Sequence, residues 1–294
     1  MEEIAADIFV ENTYPGVNVG VIATPEGLVC IDSPPCPADA YDWISRLRTA
    51  FEVPIRYLIL TDYNPDRLLM SGTFRARIVA HEKTHARVSG YGPRLPAPVM
   101  DSIATRYDLL RKELNGITIP EPQVSFCQQA TLFVGGREIT LLHMPSATPG
   151  SLWVLVKDEQ LVFSGDTVVV DQHPALAEAD SKSWLEALTL LRRDRFKAET
   201  IVPGRGPLSD RSATEPVSRY IRMARRRVHA LYRAGRPRAD TTTLIPAFMA
   251  AFPHDDVPKE WLQRQLKAGL DHLYDEHKAT ETVRERRAKH PDPQ

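Results

Sequence analysis

Four short polar segments follow apolar, strand-like segments of the sequence and carry most of the side chains that could do chemistry. The segments are TDYNPDR (61–67), HMPSATPGS (143–151), SGDT (164–167) and VPGRGP (202–207). Polar loops at the ends of rigid elements are where folds usually place binding and catalytic residues. We therefore ask whether the four segments meet in one site and what that site could hold.

The first segment places oxygen-bearing side chains at alternate positions: Asp62, Asn64 and Asp66. This spacing is also that of the start of a calcium-binding loop. The glycine expected after the third ligand is Arg67, and the twelfth position of the loop is Thr73 instead of glutamate. An EF-hand is excluded, and only an improvised oxygen site for a hard metal stays open.

The segments between the polar loops predict two sheets. Short β-rich segments separated by turns, then a helix and a buried strand, occur in the first half of the chain and again from about residue 122. Because most of these strands can pair as hairpins, two sheets with helices outside are favoured over a doubly wound parallel sheet. We expect an α+β fold, a four-layer α/β/β/α sandwich, over residues 1–210.

Beyond residue 210 the strand pattern stops, and helices are predicted near 215–234 and 258–278. We expect a helical appendage over 211–282 and a flexible tail over 283–294. Between 217 and 238 there are eight arginines and no acidic residue. This helix could bind an anion, a nucleotide, RNA or an acidic partner. A solvated face paired with acidic residues elsewhere is the favoured interpretation.

The composition excludes several classes of protein. The 294 residues contain 37 lysines and arginines and 38 aspartates and glutamates, so no overall charge attracts nucleic acid or anionic membranes. The sequence has neither a signal-like N-terminus nor an apolar run near 18 residues, which predicts a cytoplasmic protein without membrane spans. Cys30, Cys36 and Cys127 form no CxxC pair and are expected to be reduced thiols.

The order and spacing of the four polar segments resemble those of the metallo-β-lactamase-fold hydrolases, whose loops read THxHxDH, HTPGHTPGS, GDT and VPGHGP. The resemblance covers roughly residues 8–210 and includes the flanking words VAHEKT and FSGDTVV. It implies the four-layer sandwich. It also implies, for the family, five histidines and two aspartates that hold one or two metal ions, usually zinc, which supply hydroxide for hydrolysis.

All five histidines of the family pattern are replaced in this sequence. The replacements are Asp62, Asn64, Arg67, Ala147 and Arg205. Asp66 and Asp166 stand where the family has its second-metal and bridging carboxylates, and His143 precedes a ligand position. A guanidinium does not lose its proton at any working pH, so Arg67 and Arg205 disfavour a metal cation. The sequence predicts that the family's zinc has been lost and that no other cofactor replaces it.

Without a metal, the remaining aspartates would converge unpaired, which is costly when they are buried. We expect Arg67 and Arg205 to take the metal's electrostatic place through salt bridges to Asp66 and Asp166. The favoured hypothesis is a pseudoenzyme that keeps its pocket for an unknown small molecule or protein partner. The candidate ligand-binding residues are Tyr63, His143, Ser146, Asp166 and Arg205.

Other functions stay open. An active hydrolase of an ester, thioester or phosphoester could use Asp66 or Asp166 as base and the arginines to hold an oxyanion. The sequence marks no nucleophile, although Ser146, Ser151 and Tyr63 lie in the right loops. A regrouped metal site could draw on four histidines: His81, His85, His143 and His173. The protein could also be an interaction subunit that makes its contact through the helical end; the sequence does not predict its oligomeric state.

Overall fold

The computed structural model describes residues 1–193, 196, 198–252 and 257–289, with side chains described as far as residue 281. Within these residues two β-sheets pack face to face, and helices cover both outer faces. The predicted four-layer α/β/β/α sandwich with C-terminal helices is confirmed.

The first sheet has seven strands in the order of the sequence. They are β1 (Glu2–Ala5), β2 (Ile8–Glu11), β3 (Val19–Ile22), β4 (Leu28–Ile31), β5 (Ile55–Ile59), β6 (Arg77–His81) and β7 (Val124–Phe126). Strands β1 to β4 pair as antiparallel neighbours, and β4 to β7 pair in parallel. The parallel strands end on one edge of the sheet, and the segment 61–67 follows β5 there.

The second sheet has five strands in the order β12-β11-β10-β9-β8. They are β8 (Gln129–Val134), β9 (Arg137–His143), β10 (Leu152–Val156), β11 (Leu161–Val169) and β12 (Thr200–Arg205). All neighbours are antiparallel except β11 and β12. The segments 164–167 and 202–205 lie inside β11 and β12 and not in loops beyond them, so the sheet itself fixes their side chains.

Eight α-helices lie in the described part of the chain. They are α1 (Pro37–Ala50), α2 (Pro65–Leu68), α3 (Glu82–Tyr91), α4 (Ala97–Tyr107), α5 (Ser181–Leu191), α6 (Thr214–Arg233), α7 (Ile245–Ala251) and α8 (Lys259–Lys289). Short 3-10 helices lie between these elements and the strands, at Ser71–Phe74, Arg111–Leu114, Lys157–Glu159, Arg211–Ala213 and Arg238–Leu244. No described helix is long and apolar enough to cross a membrane.

Three apolar cores hold the layers together. The middle core lies between the sheets and joins side chains such as Ile22 and Ile31 of the first sheet to Leu152 and Phe163 of the second. One outer core packs α1 and α4 on the first sheet. The other packs α5, α6 and α8 on the second sheet. Both faces of each sheet are covered, so side chains that point to either face are buried. For this reason β3, β4 and β10 are apolar throughout.

Three local predictions need correction. The spacing of Met100, Ile103, Tyr107, Leu110 and Leu114 predicts a helix near 99–114. Helix α4 instead ends at Tyr107, because Asp108 adopts a left-handed conformation and its N–H bonds to the Ala104 carbonyl; a separate 3-10 turn follows. Strand β1 is an additional strand at the sheet edge that the sequence pattern did not reveal. Helix α8 continues to Lys289, so 283–289, assigned to a tail, is helical; 290–294 lies outside the described residues.

Candidate functional site

Three of the four polar segments, 61–67, 164–167 and 202–207, meet in a buried group of ions, here called the ionic cluster. Its members are Asp32, Asp62, Asp66, Arg67, Arg106, Asp166 and Arg205. No side chain of the seven is more than 11% exposed. Buried charges persist only when they are paired and hydrogen-bonded. The pairing therefore determines what this site can do.

Arg67 lies at the centre of the cluster and is fully buried. Its Nη1 and Nη2 donate to the two carboxylate oxygens of Asp166 at 3.1 and 2.7 Å, and its Nε donates to Asp32 at 2.9 Å. Asp62 Oδ1 is 3.5 Å from Nη1. The short helix α2 holds Arg67 there: Asn64 caps its start by accepting from the Asp66 N–H, and Pro65 is its first residue. One guanidinium thus joins three carboxylates.

Arg205, at the end of β12, joins two carboxylates of the cluster. Its Nε donates to Asp166 at 3.1 Å and its Nη1 to the Gly16 carbonyl at 3.0 Å. Its Nη2 lies 3.0 Å from Asp66 Oδ2 as an ion pair without hydrogen-bond alignment. Salt bridges from both arginines to the retained aspartates are present as expected, with one difference: Arg67 pairs with Asp166 and not with Asp66.

Helix α4 contributes two side chains that the sequence did not identify. Arg106 Nη1 and the Tyr107 hydroxyl donate to Asp66 Oδ2 at 2.6 and 2.9 Å. The Arg106 guanidinium also lies 4.7 Å from the ring centroid of Trp261 in α8. No sequence signal marked Arg106, because one arginine in an amphipathic helix usually points to solvent.

Asp32 is a further member that sequence reasoning did not select, although a signal existed. The signal in the sequence is its position directly after the apolar strand β4. In the structure its φ is +58°, in the left-handed region that is uncommon for a residue other than glycine. Its carboxylate accepts from the Thr61 N–H at 2.8 Å and the Thr61 hydroxyl at 2.6 Å. A buried aspartate directly after a strand, one strand away from the first polar segment, could have been added to the site.

The cluster separates the pKa values of its aspartates. Burial is the largest influence on Asp62 and raises its pKa to about 7, which the nearby Arg67 only partly opposes; its Oδ2 has no hydrogen-bond partner. Burial acts in the same direction on Asp166, but Arg205 and Arg67 outweigh it and hold that pKa well below its usual range. The pKa of Asp66 is lowered as well: burial again opposes the shift, and Arg106 and Arg205 outweigh it.

A cavity of about 740 Å³ lies directly above the cluster. Its floor is formed by four cluster members: Asp66, Arg106, Asp166 and Arg205. Tyr63, Asn64 and Ala147, predicted from the polar segments, also line it. Its outer walls come from helices α4 and α8, so one helix from each half of the chain covers the site that the sheets build.

Four predicted residues are not part of the cavity lining. Asp62 and Arg67 lie beneath the floor, fully buried. Ser146 is buried and its hydroxyl bonds to Thr167 Oγ1 at 2.9 Å. His143 lies apart, with Nε2 2.9 Å from the Pro149 carbonyl oxygen. Ser146 and His143 are therefore placed as structural residues of the 143–151 loop, and their predicted ligand-binding role is not supported by position.

The histidines considered as a regrouped metal site are dispersed. His81 and His143 stack with ring centroids 3.6 Å apart, and each bonds to a backbone carbonyl. His85 is 3.7 Å from Glu121, and His173 Nδ1 is 2.9 Å from the Tyr220 hydroxyl. In the part of the chain that the structure describes, no three or more His, Cys, Asp or Glu side chains are grouped as metal ligands.

Among the described residues, three of the six arginines of helix α6 form ion pairs with acidic side chains. Arg222 lies near Glu215, Arg225 near Glu276 and Arg233 near Glu281. Arg236 and Arg238, which follow the helix, pair with acidic residues as well: Asp240 for the first, and Asp271 and Asp275 for the second. This agrees with the favoured interpretation of a solvated face whose charges are balanced by other elements.

The fold and the four converging segments define a relative of the metallo-hydrolases. The family model of the metallo-beta-lactamase superfamily matches residues 13–205, and the chain belongs to this superfamily. Two solved structures share the fold. A metallo-beta-lactamase family protein from Thermus thermophilus is 18% identical, with a TM-score of 0.65 over 92% of this chain and 94% of that one. A metallo-beta-lactamase from Pontibacter korlensis is 20% identical, with a TM-score of 0.61 over 75% and 97% of the two chains.

A curated relative is the linear primary-alkylsulfatase of Pseudomonas sp. (strain ATCC 19151). It is 24% identical over 245 residues, which cover 71% of this chain and 45% of that protein. The chain thus spans less than half the length of this relative.

Proposed function

We propose that this protein is a superfamily member in which the ionic cluster replaces the metal centre, and that the cavity above it binds a ligand without zinc-dependent hydrolysis. The observation that carries the proposal is the buried guanidinium of Arg67. It is bonded to both oxygens of Asp166 at the position where the resembling hydrolases have a histidine ligand.

The residues present do not fit a zinc ion. Zinc is bound by imidazole, thiolate or carboxylate groups at about 2 Å, usually with four ligands. Here the carboxylates of Asp66 and Asp166 already accept hydrogen bonds from arginines. A guanidinium has no lone pair to offer and keeps its positive charge, so Arg67 and Arg205 would repel the ion. A metal would have to displace two buried arginines from their counterions.

The same contacts argue against hydrolysis without a metal. A general base works best when its pKa lies near the working pH. The pKa values of Asp66 and Asp166 are both held below the ordinary range by arginines. The hydroxyls of Ser146 and Ser151 are buried and bonded to the hydroxyls of Thr167 and Thr148. The Tyr63 hydroxyl donates to Glu178 at 3.0 Å, where it forms part of the cavity rim.

Hydrolysis is nevertheless the second candidate, because the relative from Pseudomonas is described as an alkylsulfatase. Under this alternative the protein would cleave an ester, thioester or phosphoester at the same floor, with Asp66 or Asp166 as base. Turnover that disappears in both Asp66→Ala and Asp166→Ala, with the fold intact by circular dichroism, would support it. Unchanged background rates in all three proteins would favour the binding role.

Metal content tests the proposal most directly. The protein, purified without a metal-affinity tag, is offered zinc, manganese, iron and calcium, dialysed and measured by plasma mass spectrometry. We expect retention near zero for every metal. Stoichiometric retention of any of them would contradict the proposal.

A matched control shows that the assay can detect a restored site. It is a variant with the five family histidines returned: Asp62→His, Asn64→His, Arg67→His, Ala147→His and Arg205→His. Because these substitutions remove both arginines from the cluster and supply imidazoles, we expect the variant to retain zinc where the natural chain does not.

A further inference from the structure

The walls of the cavity are mainly apolar. The apolar wall residues from α4 and α8 and the segments beside them are Pro98, Val99, Ile103, Val257, Trp261, Leu262 and Leu266, and Ser102 and Gln265 lie among them. A cavity of about 740 Å³ is in the usual size range for a small organic ligand, and such sites are mostly apolar with a few polar groups that fix orientation. The walls therefore favour a ligand with an apolar body.

The floor carries charges, but these charges already cancel. The cluster members in the cavity lining are two aspartates, Asp66 and Asp166, and two arginines, Arg106 and Arg205, so their charges balance. At the rim, Glu178 is paired with Arg87. The described residues thus leave little net charge facing the cavity.

The remaining polar side chains in the lining are neutral. Five carboxamides line the cavity: Asn12, Asn18, Asn64, Gln172 and Gln265. A carboxamide offers both donors and acceptors without a charge. Asn18 already donates to the carbonyls of Pro203 and Gly206, so it is a fixed part of the wall. The others suit an uncharged hydrogen-bonding group.

We propose that the cavity binds an uncharged amphipathic molecule, with its apolar body against α4 and α8 and its hydrogen-bonding group on the floor. This inference rests on the proposed function, since a bound metal at the floor would change the charge balance. It differs from a direct transfer of the sulfatase relative's substrate, which the name alkylsulfatase implies is a sulfate ester and therefore an anion.

Charge balance is the reason for this choice. An anion bound at the floor would draw Arg106 or Arg205 away from Asp66 or Asp166 and leave a buried carboxylate short of a counterion. A cation would face the same two guanidinium groups. A neutral group can instead bond at the edge of the paired ions and leave every salt bridge intact. The cost of breaking the pairs thus discriminates against both kinds of charged ligand.

A panel of probes with the same tail tests this inference by isothermal titration calorimetry. The probes are octan-1-ol, octanamide, octanoate, octyl sulfate and octylammonium. We expect the two neutral probes to bind at least about tenfold more tightly than the three charged ones. Tighter binding of a charged probe would overturn the inference and leave the proposed binding role intact. No binding by any probe would also overturn it, while metal content would still judge the loss of zinc independently.

Trp261 provides a second readout. It lines the cavity, whereas the other three tryptophans, Trp43, Trp153 and Trp184, are fully buried elsewhere. Binding of octanamide should therefore change the tryptophan fluorescence, and Trp261→Phe should abolish that change. A signal that persists in Trp261→Phe would place the probe outside the cavity and contradict the proposal.

Two substitutions that fill the cavity complete the test. Val99→Phe and Ala177→Phe add volume at two separate places in the lining. Each should weaken octanamide binding by at least about tenfold, so a folding defect in one leaves the other informative. Leu110→Phe is the matched control: Leu110 is 56% exposed and lies outside the lining. Equal binding by all three variants would overturn the proposal.

Discussion

Two regions of this protein are rich in arginine, and they use it in opposite ways. In the ionic cluster, Arg67 and Arg205 are almost completely buried and each contacts more than one carboxylate. On helix α6, Arg222 and Arg233 are more than half exposed and each approaches one glutamate at 3.7 to 3.8 Å. The arginine side chain therefore occurs in a buried network of ion pairs and in exposed single ion pairs.

The difference shows that burial, and not the number of charges, decides what an arginine contributes. An exposed ion pair is screened and contributes about 0–1 kcal/mol. Removing one partner of a buried pair leaves an uncompensated charge and costs about 3–5 kcal/mol. The α6 arginines drew attention in the sequence because they are many, yet the cluster arginines should dominate stability.

The largest effect is expected for Arg67→Met. The substitution leaves Asp32 and Asp166 without their shared guanidinium in a dry site, so we expect the free energy of unfolding to fall by about 3–5 kcal/mol. Denaturant unfolding at pH 7.5 measures this loss. The double variant Arg67→Met with Asp166→Asn removes a charge of each sign and should recover part of it. A loss below about 1 kcal/mol in the single variant would show that the cluster is not a stabilising unit.

The second-largest effect is expected for Asp62→Asn, on the pH dependence of the free energy of unfolding. The folded protein holds the Asp62 proton to about pH 7 because burial raises its pKa, whereas the unfolded chain releases it near pH 4. The folded state therefore binds more protons between these limits, and this group makes stability fall as pH rises from about 4 to about 7. Asp62→Asn should remove this decline, which is on the order of 2–4 kcal/mol.

The control for this prediction is the difference between two stability curves. His81, His143 and His277 have lowered pKa values, each mainly through burial, and make stability rise with pH in the same range. They are present in both proteins, so subtracting the wild-type curve from the Asp62→Asn curve removes their contribution. Parallel curves from pH 4 to pH 8 would mean that Asp62 is ionised throughout.

A smaller effect is expected for Arg106→Met. Asp66 would lose one of its two side-chain hydrogen-bond donors but keep the Tyr107 hydroxyl and the ion pair with Arg205, so we expect a loss of about 1–3 kcal/mol. The methionine side chain can still pack against Trp261 in α8, so the variant removes the charge of Arg106 but keeps an apolar contact there. Denaturant unfolding again provides the measurement, and a loss as large as that of Arg67→Met would contradict the ranking.

The same contrast explains how far the sequence predicted this molecule. The periodic apolar pattern predicted both sheets and the covering helices, because the spacing of apolar residues within each strand or helix already indicates which side chains are buried. The polar segments predicted Asp66, Asp166 and the two arginines that pair with them. Arg106 and Asp32 were missed, because their role depends on which elements meet in space. The ligand-binding role predicted for Ser146 and His143 stays a prediction, and neither residue is part of the cavity lining.

The smallest effect is expected on helix α6, for Arg233→Ala. Arg233 is 69% exposed and its Nη1 is 3.7 Å from a Glu281 carboxylate oxygen, so the pair is screened by solvent. We expect the free energy of unfolding to change by at most about 0.5 kcal/mol, and less still in about 0.5 M salt. Arg222→Ala, at a similarly exposed pair with Glu215, should behave in the same way.

The stabilities of these two variants decide whether the α6 face is only a solvated surface. If Arg233→Ala and Arg222→Ala each cost as much as Arg106→Met, the surface pairs would have to act as a network, and burial alone would not separate the two arginine-rich regions. If both changes stay near zero while Arg67→Met is severe, the difference between the two regions follows from desolvation. The stability of this fold would then depend on the buried cluster and not on its most arginine-rich helix.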